Sequence, residues 1–206
     1  MLYFNILTKD TLDILKAIQS NPFFDGLRLV GGTSLALQYG HRLSIDLDFF
    51  GNWMHDTSEI EMELIGLGEF KALKNSKSIN VYTLNSVKID FVDYPYSWLE
   101  EAIRTDGLTL AAEKDIAAMK LAAICGRGTK KDFVDLYFLL EHFSIEQIMS
   151  YYTQKFPQAS IYLVLKSMVY FDDAEHEESP VMLKQVPWAM VKETIICAQA
   201  RYMEQL

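Results

Sequence analysis

Apolar and polar positions along the chain follow two rhythms, and the change between them falls near residue 110. In the first stretch the runs are short. Leu12, Leu15, Ala17 and Ile18 recur at helical spacing over residues 11–18, with Thr8 or Asp10 placed as a cap, and Asn21-Pro22 breaks the helix. Asp25-Gly26 turns the chain into residues 27–30, a brief apolar run that ends on Gly31-Gly32 and reads as a buried strand. Residues 33–39 read as a helix that opens at the glycines and stops at Gly40. Residues 44–50 alternate strictly, which assigns Ile45, Leu47 and Phe49 to one face of a strand and Asp46 and Asp48 to the other. Residues 58–65 read as a further helix. Residues 78–84 and 87–92 then read as two strands joined by an Asn85-Ser86 turn, the second with Asp90 between Ile89 and Phe91 and ended by Pro95.

The second rhythm is helical. Residues 113–125 are rich in alanine and leucine, residues 129–143 begin polar and turn apolar, and more helices follow to 206. Five acids in residues 171–180 (Asp172, Asp173, Glu175, Glu177 and Glu178) mark a solvated loop within them. No internal repeat is present. The predicted class is α+β: a mixed β-sheet with flanking helices over residues 1–110, then a helical lobe over 111–206, with a cleft expected between the lobes.

Composition narrows the function classes. The chain has 206 residues, half of them hydrophobic, and carries a net charge of −9 from 19 basic and 28 acidic residues. Such a balance excludes bulk electrostatic coating of nucleic acid but leaves room for a local basic cleft. Cys125 and Cys197 stand alone and far apart, so neither a disulfide framework nor a zinc knuckle is encoded. No apolar run approaches the roughly 18 residues of a membrane span, and the opening MLYFNILTKD lacks the layout of a secretion signal. The reading is a cytoplasmic protein that does not enter a membrane.

Asp46-Leu47-Asp48 is the sharpest chemical feature. Two carboxylates on one strand face repel, and if Asp90 sits on a neighbouring strand three acids converge; divalent cations with oxygen ligands, magnesium first, relieve that repulsion. The plain alternative is the wet face of an edge strand. Fourteen residues before Asp46 stands Gly32, in a strand–Gly31-Gly32-Thr33-Ser34–helix turn whose backbone N–H groups and hydroxyls suit a phosphate. It is not a Walker A loop, because no Gly-Lys-Thr or Gly-Lys-Ser follows. Lys120 and Arg127 share a helix face, and Arg127, Lys130 and Lys131 gather positive charge in an acidic chain. Asp132 and Asp135, three apart, face together, either as surface partners of those lysines or, for Asp135, as the group that positions a phosphate-binding Lys120. Arg42 is a further candidate phosphate contact, His41 a weaker one. Trp53, Trp98 and Trp188 read as packing residues, and Cys125 as a buried thiol.

The runs Val30-Gly31-Gly32-Thr33-Ser34-Leu35-Ala36-Leu37 and His41-Arg42-Leu43-Ser44-Ile45-Asp46-Leu47-Asp48-Phe49-Phe50 together resemble the first motif of the AbiEii-type nucleotidyltransferase toxins, within the DNA polymerase beta-like superfamily. Lys88-Ile89-Asp90-Phe91 resembles that family's third metal-binding carboxylate, with Asp93 close enough to be confused with it. Residues 115–127 resemble its lysine-bearing helix, and Lys131-Asp132-Phe133-Val134-Asp135-Leu136 its Lys-Asp-x-x-Asp-Leu motif. The resemblance covers about residues 28–140. It implies a two-metal transfer in which Asp46, Asp48 and Asp90 hold Mg²⁺ against a bound NTP. Gly31, Gly32, Thr33 and Ser34 would seat phosphates, with Arg42, Lys120, Arg127 and Asp135 completing the nucleotide site and Lys120 counted with the three aspartates as catalytic. It implies an RNA acceptor, often the tRNA 3′ end, or a protein hydroxyl, and a cognate antitoxin in a toxin–antitoxin or phage-defence system. Two rival readings share the fold: a non-catalytic nucleotide-binding or partner-docking protein, and a phosphotransferase using the same cleft.

Overall fold

The computed structural model describes residues 1–53 and 55–205; Leu206, the last residue of the expected helical lobe, lies outside them. Packing divides the chain into two compact units, one of residues 1–96 and 101–111, the other of residues 97–100 and 112–206.

The first unit is built on a seven-stranded mixed sheet. α1 (Lys9–Ser20) is capped by Thr8, whose hydroxyl accepts from the Thr11 N–H, and it buries Ile14, Leu15 and Ile18. β1 (Arg28–Leu29) is only two residues long because the chain turns straight into α2 (Gly31–Tyr39), which closes on Gly40 in the left-handed region at φ 62°. β2 (Leu47–Gly51) and α3 (Thr57–Ile65) follow. β3 (Phe70–Asn75), β4 (Ile79–Leu84) and β5 (Val87–Asp93) form a meander. Asn85 and Ser86 both take positive φ, 47° and 70°, as a two-residue hairpin whose twist matches its strands requires. β6 (Ile103–Thr105) and β7 (Leu108–Leu110) make a second hairpin on Asp106-Gly107. The order is β3-β4-β5-β2-β1-β7-β6, with the β2–β5 and β1–β7 pairs parallel and the others antiparallel.

Three strands, β3, β6 and β7, have no counterpart in the sequence reading. β3 is exposed almost throughout and carries Lys71 and Lys74, so its pattern is that of an edge, not of a core strand. The strand expected over residues 44–50 also changes. It begins at Leu47, and Ile45 is 64% exposed instead of sharing the buried face of Leu47 and Phe49. That buried face packs Leu47, Phe49, Ile89 and Phe91 into one core with Leu15, Ile18, Phe24 and Tyr82. Phe91 stacks on Phe24 and Phe49 at centroid distances of 5.1 and 5.6 Å.

The second unit is helical: α4 (Glu113–Gly126), α5 (Lys130–Leu140), α6 (Ile145–Lys155), α7 (Ile161–Met168), α8 (Asp172–Glu175) and α9 (Trp188–Met203). Residues 171–180 are not simply a solvated loop. Phe171 and Ala174 are buried, and the backbone carbonyls of Glu175 and Glu177 accept from the Lys130 ammonium. Among the described residues no helix is long and apolar enough to cross a membrane.

Candidate active site

β2 and β5 run parallel in a register that sets Asp48 beside Asp90. Neighbouring strands lie about 4.8 Å apart, so the two carboxyl groups start from adjacent Cα atoms on the same face. Both strands bury every second residue, and Asp48, Lys88 and Asp90 occupy the half-buried positions between. Asp93 is separated from this group. It sits opposite Gly51, and its carboxylate accepts from the Trp53 N–H at 3.3 Å.

The glycine turn meets the same spot. The Val30 N–H donates to the Asp48 carbonyl at 2.8 Å, and Gly31 then takes φ 66° against the Asp48 side chain. A Cβ at Gly31 would overlap Asp48 Oδ2, so only glycine lets the start of α2 close on the carboxylate. No side-chain cap closes that start, and its first residue abuts the Asp48 carboxylate, a placement that the positive end of a helix favours. Thr33 fixes the third acid. Its hydroxyl bonds the Ser44 hydroxyl at 2.7 Å and donates to the Asp46 carbonyl, pinning the segment just before β2.

The other expected phosphate contacts lie in the same region. Thr33 and Ser34 are buried, the first engaged with Ser44 and Asp46 and the second accepting from Gln38 Nε2 at 3.2 Å, so their hydroxyls face inward. Arg42 is 4% exposed and donates to the Leu43 carbonyl. Gly31 and Gly32 keep part of their surface in solvent.

A cation already stands among the acids. The Lys88 ammonium lies 2.6 Å from Asp90 Oδ1. Burial lowers its pKa, but the hydrogen bond to Asp90 and the fields of Asp90, Asp48 and Asp46 outweigh burial and hold it above the ordinary lysine value. Lys88 was legible only as part of a motif, although Lys-x-Asp on a strand puts both side chains on one face. The donor set, carboxylate oxygens only, suits a hard divalent cation, and a positive group is drawn to it. Among the described residues no three His, Cys, Asp or Glu side chains stand ready as a metal cage.

The second unit gathers the other candidates into a sealed cluster. Lys120 is 4% exposed and lies 3.0 Å from Asp132 Oδ1 and 2.6 Å from Asp135 Oδ2, both aspartates fully buried. Arg127 grips Asp132 with Nε and Nη2 at 2.8 and 3.1 Å, and Thr129, just before α5, donates its hydroxyl at 2.6 Å. Burial raises the Asp132 pKa, but Lys120, Arg127 and Thr129 overcome it and hold the carboxyl well below the usual range. Neither Asp132 nor Asp135 is a surface partner, and Lys120 is not solvent-facing: it neutralises two buried charges. Lys130, counted in the basic run, is also buried, bonded to Glu175 and Glu177. The side chain of Arg127 remains 58% exposed. A second buried pair, Lys155 with Asp115 at 2.6 Å, was not foreseen; Asp115 also accepts from the Leu99 and Glu100 N–H groups. Cys125 is half-buried, and burial raises its thiol pKa.

The site thus joins a mixed sheet with carboxylates on adjacent strands to a glycine turn that opens a helix. The solved structure of a candidate nucleotidyltransferase from H. pylori superposes with a TM-score of 0.62 at 19% identity, covering 96% of this chain and 93% of that one. MenT4, a nucleotidyltransferase toxin of Mycobacterium tuberculosis H37Rv, superposes at 0.56 and 15% identity, covering 94% and 86%. In sequence, the uncharacterized protein aq_aa25 of Aquifex aeolicus (strain VF5) is 34% identical over 177 residues, 83% of this chain and 86% of its own length. The family model described as nucleotidyl transferase AbiEii toxin, Type IV TA system, matches residues 13–196. The chain belongs to the AbiEii nucleotidyltransferase toxin family and is an enzyme of that class.

Proposed function

We propose that the protein moves a nucleoside monophosphate from an NTP to a hydroxyl on RNA, the tRNA 3′ end being the first acceptor to test, and that a cognate antitoxin restrains it in the cytoplasm. The observation that carries this reading is the register of Asp48 with Asp90 around a resident ammonium. Asp46, Asp48 and Asp90 would hold Mg²⁺, which when bound neutralises charge on the attacking and leaving oxygens.

The chain's own residues do the remainder. Gly31 and Gly32 offer backbone N–H groups at the start of α2 to the phosphates. Thr33 is a positioning residue, since it holds Asp46 through its carbonyl. Asp90 takes the proton of the acceptor hydroxyl. The acceptor oxygen bonds to the α-phosphorus as the bond to pyrophosphate breaks, and pyrophosphate leaves. In the helical unit, Asp132 orients Arg127 while Lys120 balances Asp132 and Asp135, and the Arg127 side chain stays exposed to an anion. With a net charge of −9 the chain has no general affinity for nucleic acid, so the acceptor must be recognised at a small patch.

The test incubates the protein with Mg²⁺, total RNA and NTP labelled at either the α- or the γ-phosphate. Label from the α-position should enter RNA. Transfer from the γ-position would make the enzyme a phosphotransferase, and label entering protein alone would replace RNA with a protein hydroxyl.

A further inference from the structure

Lys88 takes no step in the proposed transfer, yet it is a cation that Asp90 holds on the acid face. Its ammonium is 2.6 Å from Asp90 Oδ1, on the face where Asp90 stands in register with Asp48. Its side chain is 43% exposed, so the long stem can swing away without unpacking a core. The fields of all three acids reach it.

We propose that Lys88 is a resident counter-ion that occupies the cation position among Asp46, Asp48 and Asp90 and must be displaced when metal enters. This rests on the reading of those acids as the metal site. An ammonium and a divalent ion repel at such a distance, so metal arriving alone meets opposition. Metal arriving with a triphosphate does not, because the polyphosphate gives the displaced ammonium a new anionic partner. Lys88 thereby couples metal binding to nucleotide binding, and the protein without nucleotide holds metal weakly.

The experiment uses Mn²⁺ as probe and reads its unbound fraction by electron paramagnetic resonance. Wild type, Lys88→Met, Lys88→Arg and Asp48→Asn are titrated with and without a non-hydrolysable NTP analogue. Lys88→Met should bind Mn²⁺ alone about 10- to 100-fold more tightly than wild type, the span over which neighbouring groups tune metal sites. Lys88→Arg, which keeps the charge, should match wild type. With the analogue present, the advantage of Lys88→Met should vanish or reverse. Unchanged or weaker Mn²⁺ binding by Lys88→Met, while Asp48→Asn still abolishes it, would overturn the role of Lys88 and leave the metal site standing. Mn²⁺ binding that ignores Asp48→Asn would overturn the metal site, and the proposal with it.

Discussion

Lys88 and Lys120 each pair with aspartate, at 2.6 Å from Asp90 Oδ1 and from Asp135 Oδ2, but only Lys88 keeps much of its side chain in water. Around Lys120 both partner carboxylates are sealed. Asp132 and Asp135 are fully buried, and Asp132 accepts from Lys120, Arg127 and Thr129. Charges removed from water in this way must be matched within the protein, and nothing can then leave without exposing a buried charge. Around Lys88 the acids stand on a half-exposed strand face, where charge can be exchanged with an incoming ligand at the cost of a rotamer. The contrast separates ionic groups that hold the fold from those available for chemistry, which residue type alone does not.

Asp48→Asn breaks the comparison most severely if it fails. Loss of one metal-holding carboxylate should remove roughly 4 kcal/mol of transition-state stabilisation, about a 10³-fold drop in α-label transfer. The urea midpoint should stay or rise, because one of several crowded acids is gone. Lys120→Met should do the reverse in kind. Removing the ammonium strands two buried carboxylates and should cost about 3–5 kcal/mol of stability, read as a lowered urea midpoint whether or not nucleotide is present. A variant that lost nucleotide affinity while keeping its midpoint would return Lys120 to the phosphate-binding role the sequence suggested.

Much of the strand site was legible because period two is a rigid rule. Asp46 and Asp48 bracket Leu47, and Asp90 lies between Ile89 and Phe91, so alternation alone placed Asp48 and Asp90 on polar faces. What the sequence did not carry was which strands are neighbours: the β2–β5 pairing joins residues about forty apart. It also carried no depth. Asp132 and Asp135 follow two lysines and look like a surface pair; their burial depends on the packing of α4 and α5, which no local pattern records. The direction of a hydroxyl is equally hidden, since one at a helix start can face a ligand or, as Thr33 does, bond within its own chain.

A smaller effect sharpens the claim that the glycine turn serves the strand acids. Gly31→Ala must strain a backbone at φ 66° and push against Asp48 Oδ2. Gly107→Ala meets the same kind of strain at φ 76° with nothing within 4 Å of the new Cβ. Each should cost about 1–2 kcal/mol of stability. Only Gly31→Ala should also lower α-label transfer, by roughly 10- to 100-fold, the effect of disturbing a group next to a metal ligand. Equal activity in the two variants would detach the turn from Asp48.

Thr129→Val tests the sealed cluster with the least disturbance. The hydroxyl donates to Asp132 at 2.6 Å from the residue that precedes α5. A hydrogen bond to a charged group is worth about 1.5 kcal/mol at the lower end, and that is the expected loss at neutral pH. The pH dependence gives a second reading. Asp132 has its folded-state pKa held below the unfolded value of about 3.9, so the unfolded chain takes up the proton first as acid is added. Its contribution is therefore complete above about pH 4 and drains away as the pH falls toward the folded value. Without the Thr129 hydroxyl the folded pKa moves up toward the unfolded one, and the acid slope of the urea midpoint flattens. An unchanged slope in Thr129→Val would mean that Lys120 and Arg127 alone fix the charge on Asp132, leaving Thr129 no more than the start of a helix.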